Sequence, residues 1–477
     1  MFKPEGRSPG SLRIAPAPQA PEGYVPCTGA TVTVTGSNTT AQTNSSGYFR
    51  IDNVAAGYQT VSVVYQSYRL DVGLQVYANQ TNYVKPDTGS ILPKKWTVMV
   101  YICADNDLDS YALADINEME RPGSNDDVNI LVQIDRRGSA DGGLADPVNW
   151  KGARRYYVRP DSDTAVISSP VVYWFGANDG TDNEIDMGNP NELRSFVQWA
   201  ATYYPAQHYM LVLWNHGDGW TIWRPERLTT RAICVDDTGT QLDVDQIRVA
   251  LEGLPHLDII GMDACLMQMI EVAYEFRNLA EIMVGSEESE PGTGWDYEKG
   301  LERLCASPDR SAWDVAKDIV DSYWQCHGDS FTQSAFRLDY ADDLAVSIRD
   351  LKDTLMAYLS VSGPEADAIR QAMIDATVGI TCYGSPYYSF YDIWDYCDGL
   401  QARVNGSANI TDPAKPAISG ACDAVKAQVN MTSTYSMGNG KGLSIFIPYP
   451  VGLPGTGYDW LLFGRDTRWS DIFRYYY

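Results

Sequence analysis

The 477-residue chain holds only four histidines and nine cysteines, and its 36 Lys+Arg are outnumbered by 62 Asp+Glu, for a formal net charge of −26. No apolar run reaches the roughly 18 residues that a membrane-spanning helix needs, so no span is expected. The acid excess would repel a phosphate backbone, and no basic stretch interleaved with aromatics offsets it. Nucleic acid is therefore not an expected partner. Nine cysteines in 477 residues is far too sparse for a disulfide-stapled scaffold, and no C-x-x-C pair offers zinc-ligand spacing. Most of them read as small buried hydrophobes. The first 26 residues contain six prolines and no apolar h-region, so no signal peptide is read in this chain. What is present is 44% hydrophobic content, enough for a sizeable core, in a length that suits about two to four domains.

The charge is uneven. Residues 1–93 carry six basic and five acidic side chains, which leaves 30 basic and 57 acidic, a net of −27, in the rest. Residues 1–21 read as a flexible Pro-rich leader. Residues 22–88 then alternate apolar and small polar side chains, with Val32, Val34, Phe49, Ile51, Val54, Val61 and Val63 between Gly/Asn/Ser turns. That period of two predicts a small antiparallel β-sandwich. The sequence G-A-T-V-T-V, a polar hairpin, S-G-Y-F-R-I and G-Y-Q-T-V-S-V resembles the carboxypeptidase regulatory-like (transthyretin-like) domain, which implies an accessory module without chemistry of its own.

After Pro93 the pattern changes. WTVMVYIC (96–103), NILVQID (129–135), YMLVLWN (209–215), LDIIGMD (257–263) and EIMVGS (281–286) are nearly continuous apolar runs, separated by helix-like DNDLDSYALADINEMER, NELRSFVQWAATYY, VDQIRVALEGL and LMQMIEVAYEF. Such runs predict a mainly parallel sheet covered on both faces, an α/β core over residues 94–300. Residues 301–477, with several helical stretches and a late strand GLSIFIPYP, read as its continuation. In sheets of this kind ligands bind beyond the carboxyl ends of the strands, so functional side chains are sought directly after the apolar runs.

Two candidates stand there. His216 follows YMLVLWN within Asn-His-Gly-Asp-Gly-Trp, whose glycines let backbone N–H groups approach a ligand. His208, His256 and His327 have ordinary structural readings. Cys265 follows LDIIGMD and is expected to open a helix, whose N-terminal partial charge would favour the reactive thiolate. A nucleophile and a base type placed behind strands of one parallel sheet should emerge at the same edge. The order, His before Cys, differs from the papain arrangement.

WTVMVYICADNDLD, LVLWNHGDGW, IIGMDACLMQMIEVAYEF, MVGSEESEPGTGWDY, YDIWDYCDGL, GLSIFIPYP and YDWLLFGRDTRWSDI together resemble the clostripain family of cysteine peptidases, within the caspase and gingipain clan, over about residues 94–477. The resemblance implies a caspase-like three-layer α/β fold and cysteine endopeptidase activity. It makes Cys265 the nucleophile, His216 the group that protonates the leaving amine, and the N–H groups of Gly217 and Cys265 the oxyanion hole. It asks for no third triad member.

It also places Asp263 in the pocket for the residue on the acyl side of the scissile bond (P1), where a carboxylate selects Arg or Lys. Helix capping is the alternative use of an Asp here. A second acid of that pocket is expected from the loop GSEESEPGTGWDY. This chain has Thr293 where related loops often read P-G-D-G-W, leaving Glu287, Glu288 or Glu290 to compensate and Trp295 to wall the pocket.

Several members of the family mature by internal cleavage, and Arg224, Arg227 and Arg231 between His216 and Cys265 offer such sites. No cofactor is required for the chemistry, and the resemblance allows calcium without naming ligands. Asp105, Asp107 and Asp109 do not supply them as an EF-hand, because Ser110 and Ile116 stand where Gly and Glu are needed. They read as acids in the first turn of a helix. The expected partners are protein or peptide substrates with basic residues, and the expected location is secreted or at the cell surface. The competing reading is an inactive homologue that acts as a surface binding protein.

Overall fold

The structure is a computed structural model. It describes residues 11–14, 29–34, 39–43, 49–51, 54–55, 57–65, 68–76 and 81–84, and then 93–476 apart from 139–149, 176–183, 221–232, 238, 386–388, 439 and 451–456. The N-terminal part has a four-stranded sheet that includes Thr31–Val34 and Gly57–Tyr65, and a three-stranded sheet. Val32, Val34, Phe49, Ile51, Val54 and Val61 form a core of their own. Ser11–Ile14, within the segment read as a leader, is a strand paired with Thr81–Val84 and Arg50–Ile51, so an unstructured leader does not hold for those four residues.

The larger part is built on a nine-stranded sheet. Its strands are β1 (Lys94–Ala104), β2 (Val128–Arg136), β3 (Gly152–Tyr157), β4 (Val171–Trp174), β5 (Ala206–Trp214), β6 (Leu257–Asp263), β7 (Ala280–Gly285), β8 (Gln333–Arg337) and β9 (Ser433–Met437), in the order β4-β3-β2-β1-β5-β6-β7-β8-β9. The five inner strands are parallel, and the two at each edge run antiparallel to their neighbours.

Successive residues of an inner strand point to opposite faces. Val98, Val100 and Ile102 accordingly enter one core, and Met99, Tyr101 and Cys103 the other. The first core is closed by α1 (Asp109–Glu120), α5 (Tyr297–Ala306) and α6 (Ala312–His327). The second is closed by α2 (Pro190–Tyr203), α3 (Val244–Leu251) and α4 (Ile270–Phe276). The C-terminal helices α7 (Ala341–Leu359), α8 (Pro364–Ala376), α9 (Ile393–Gly406) and α10 (Ala414–Thr432) share that core. The result is the three-layer α/β architecture. Local signals agree with it: Asn189 caps α2 by accepting from the Asn191 N–H at 3.0 Å, with Pro190 as the first helical residue.

Of the antiparallel edge strands only β4, VVYW, is an apolar run. β3 reads GARRYY, yet Arg155 is only 3% exposed. It donates to Gln133 Oε1 at 2.7 Å and lies 4.7–4.8 Å from the ring centroids of Trp199 and Tyr173. An aromatic box therefore houses a cation that a sequence pattern assigns to solvent. The late strand shrinks to Ser444–Phe446, in a small sheet with Phe390–Asp392.

The crossing from β1 to β2 on one side and to β5 on the other makes β1/β5 the topological switch point, where α/β sheets open a crevice. The rim there is tied down by an ion pair. Arg136, at the end of β2, donates to both oxygens of Asp109, the first residue of α1, at 2.8 and 2.9 Å, with both side chains 2% exposed. Asp109→Ala strands the guanidinium in the interior and should cost about 3–5 kcal/mol. Denaturant titration is expected to show the midpoint falling with an unchanged m value, and a loss below about 1 kcal/mol would mean that Arg136 finds other partners.

Candidate active site

The site grows from the ends of β1, β5 and β6. Trp214 closes β5 opposite Ile102 of β1 and Asp263 of β6. Asn215, 4% exposed, extends the ladder by donating its N–H to the Asp263 carbonyl at 3.2 Å. Its side chain donates to the carbonyls of Cys103 and Val235 and accepts from the Val235 N–H. With Asn215 pinned, His216 projects beyond the sheet edge. Its Nε2 lies 2.9 Å from Oδ1 of Asp107, in the loop after β1, with side-chain exposures of 27% and 73%. Asp107 thus acts on the candidate base, across the switch point, and not on a helix terminus. Asp109 is taken by Arg136. Asp105 is buried beside Asp236 and Asp237, and burial followed by these two charges pushes its carboxyl up to about 6.

Gly217 abuts the segment that carries Cys265. A Cβ there would lie 2.3 Å from the Cys265 carbonyl oxygen and 3.0 Å from Ala264 Cβ, so only glycine fits this approach. Cys265 itself sits in a turn whose next residue, Leu266, has φ +64°. The turn is fastened to the loop after β7. The Leu266 N–H donates to the Glu288 carbonyl at 3.0 Å, and the Gln268 N–H to that of Ser286 at 3.0 Å. The Glu290 N–H donates to Cys265 Sγ at 3.2 Å, and the thiol faces the Glu290 carbonyl at 3.8 Å.

Cys265 does not open a helix, because α4 starts only at Ile270. The macrodipole argument for a thiolate is therefore lost, since a dipole acts within the first turn. Burial first, and then the charge of Glu290, pushes the thiol up to about 11. Burial thus favours the thiol of Cys265 over its thiolate.

Asp263, 4% exposed, caps no helix either. Its Oδ2 accepts from the Tyr297 hydroxyl at 2.8 Å and from the Trp295 N–H at 3.4 Å. Gly294, with φ +52°, passes so close that a Cβ would stand 2.6 Å from Asp263 Oδ1. Burial pushes the Asp263 carboxyl up to about 6, against the hydrogen bonds from Glu290, Tyr297 and Trp295.

Thr293 is exposed on the turn between Gly292 and Gly294. The Trp295 ring is 4% exposed and packs on Gly261 of β6, so at the site it supplies its backbone N–H and not a wall. Of the three glutamates on this loop, Glu287 turns to the Gly442 N–H at 2.9 Å. Glu288 serves mainly through its backbone. Only Glu290 meets Asp263. Arg224, Arg227 and Arg231 lie outside the described residues. Among the described residues no three His, Cys, Asp or Glu side chains converge as a metal site, so no step is routed through calcium.

The sequence profile of the clostripain family matches residues 100–463, and that of the carboxypeptidase regulatory-like domain matches residues 22–87. Clostripain from Hathewaya histolytica is 26% identical over 414 residues, covering 74% of this chain and 75% of that protein. A secreted cysteine protease from Bacteroides thetaiotaomicron, solved with an irreversible peptide inhibitor, superposes with a TM-score of 0.56 at 21% identity, covering 79% of this chain and 100% of that one. An inactive zymogen protease from Parabacteroides distasonis gives 0.55 at 20% identity, with 79% and 99% covered. At these identities the two structures establish a shared fold.

A raised thiol makes a direct prediction. Alkylation of Cys265 by iodoacetamide, followed by mass spectrometry of its peptide, is expected to accelerate about tenfold per pH unit from roughly pH 7 to pH 10. A plateau reached by about pH 8 would mean that the thiolate already exists in the resting protein.

Proposed function

This chain belongs to the clostripain family and is a cysteine-type endopeptidase, and we propose that Cys265 and His216 carry its chemistry and that it cleaves after basic residues. The observation that supports this most is the abutment of Gly217 on Cys265 at the ends of adjacent parallel strands. It brings a histidine and a cysteine loop to one edge.

In the proposed reaction Cys265 Sγ attacks the scissile carbonyl carbon while its proton passes to His216. The N–H groups of Gly217 and Cys265 hold the oxyanion, a contribution that in other hydrolases is about 3–4 kcal/mol per donor. The C–N bond then breaks, the amine leaves with the proton from His216, and water hydrolyses the thioester. Asp107 orients the imidazole. The burial that raises the thiol implies that deprotonation accompanies substrate binding.

Asp263 is the proposed P1 carboxylate, two residues before the nucleophile and kept in place by Tyr297. Residues 22–88 are the proposed accessory module, 94–300 the catalytic core and 301–477 the part that completes it. Secretion is proposed as well, supported by the neighbour described as secreted.

A fluorogenic library varied at P1 tests this reading. Wild type is expected to favour Arg and Lys over neutral residues by at least about tenfold, the range of one charged hydrogen bond. Cys265→Ala should lose turnover by on the order of 10⁴ or more. Cleavage by neither protein would favour a binding role, and cleavage after neutral residues alone would remove the role given to Asp263.

Self-processing is proposed at Arg224, Arg227 or Arg231. On a denaturing gel, wild type should run as two fragments and Cys265→Ala as one intact band. Intact bands for both would reject it.

A further inference from the structure

Two buried carboxyls join the loop after β7 to the C-terminal part of the chain. Glu287, on that loop, is 1% exposed, and Asp392, at the end of the strand Phe390–Asp392, is 3% exposed. Glu287 Oε1 accepts from the Gly442 N–H at 2.9 Å. Asp392 caps α9 by accepting from the Asp395 N–H at 3.0 Å, and its Oδ2 accepts from the Lys441 N–H at 2.6 Å. Gly440 passes so close that a Cβ there would stand 2.1 Å from Glu287 Oε1. Both acids thus grip residues 440–442.

The two carboxyls also meet each other. Glu287 Oε2 is buried and receives no donor among the described residues. Carboxyls that face one another in the interior stay there only by sharing a proton. The titratable groups around them are Asp395 and Cys397 of α9, Tyr383 of the short strand Cys382–Tyr383, Glu288 and Lys441. Asp395 adds negative charge to both, and Lys441 acts on Asp395. Burial is the largest cause that raises the two carboxyls, Asp392 to about 6.

What the pair grips is the back of the turn that carries Cys265. The carbonyls of Ser286 and Glu288, on either side of Glu287, accept from the N–H groups of Gln268 and Leu266. From the opposite side the Ser444 N–H donates to the Gln268 carbonyl at 3.0 Å, and Ser444 is itself paired with Asp392. One side chain therefore spans both braces of the turn.

We propose that Glu287 is a positioning residue for Cys265: through a proton shared with Asp392 it clamps residues 440–446 and the loop after β7 onto the turn that carries the thiol. This rests on the reading of Cys265 as the nucleophile. The Glu287 side chain meets Asp392 and Gly442, so the clamp leaves the P1 preference untouched.

The sign of its pH dependence follows from burial. An unfolded Glu releases its proton near pH 4.3, whereas the folded pair keeps one. The native state holds the extra proton, so the clamp is intact at low pH and is lost as pH rises and the second carboxyl ionises.

The test compares Glu287→Gln, which keeps an acceptor for Gly442 and brings its own N–H to Asp392, with Glu287→Ala, which has neither, both in the full chain. At pH 6, Glu287→Ala should lose about tenfold or more in kcat with little change in KM, and Glu287→Gln should recover most of that loss. From roughly pH 6 to pH 9, kcat of Glu287→Gln relative to wild type should climb about threefold or more, because only wild type has the proton to lose. Denaturant titration gives a readout independent of turnover: over the same range the unfolding constant of wild type should rise relative to Glu287→Gln by up to about tenfold per pH unit. Ratios that stay flat with pH in both measurements overturn the shared proton. A pH-dependent stability difference with a flat kcat ratio overturns the positioning role, and if Glu287→Ala does not fold this comparison decides alone. An altered P1 preference in either variant would place Glu287 in the substrate pocket and overturn the clamp. Turnover retained by Cys265→Ala removes the underlying reading of the nucleophile instead.

Discussion

β5 is hydrogen-bonded in parallel to β1 on one side and to β6 on the other, with Trp214 level with Ile102 and with Asp263. Everything at the site depends on that register. It lets Asn215 reach across to the carbonyls of Cys103 and Val235 and brings Gly217 onto the carbonyl of Cys265. A slip of one residue would turn each side chain to the opposite face and bury His216. The register is in turn secured by the two cores, since alternate residues of every inner strand are committed to one face or the other.

The electrostatics of the site follow from the same packing. Its carboxyl ends converge where α1, α5 and the loop after β7 close over the sheet, and the acids there are raised by loss of water before any charge is counted. Glu118 is pushed up to about 7 and Asp263 to about 6, in each case with burial as the largest cause. The thiol is held up by the same loss of water and by Glu290. Burial thus works against negative charge at the site, in a stretch, residues 94–477, whose formal net charge is −27.

Much of the architecture was legible. The apolar runs at 96–103, 129–135, 209–215, 257–263 and 281–286 became β1, β2, β5, β6 and β7, because strands buried on both faces have no polar positions to interrupt them. The edge strands β3, β4, β8 and β9 were not; β3 hides its pattern by housing Arg155 in an aromatic box while still pairing. The start of α4 was placed too early: the segment 266–269 is apolar enough for a helix, but its backbone is spent on the loop after β7.

His216 and Cys265 stood out because each directly follows a long apolar run of one sheet, whereas Asp263 was singled out by the resemblance to the clostripain family. The meeting of Asp107 with His216, of Glu290 with Asp263, and the upward push on the Cys265 thiol belong to the tertiary structure. Their partners are 109, 27 and 25 residues apart, and no periodicity encodes contacts made between loops. Sequence determined which groups reach the edge of the sheet. Only the packed loops decided what water is left there, and hence which protons those groups keep.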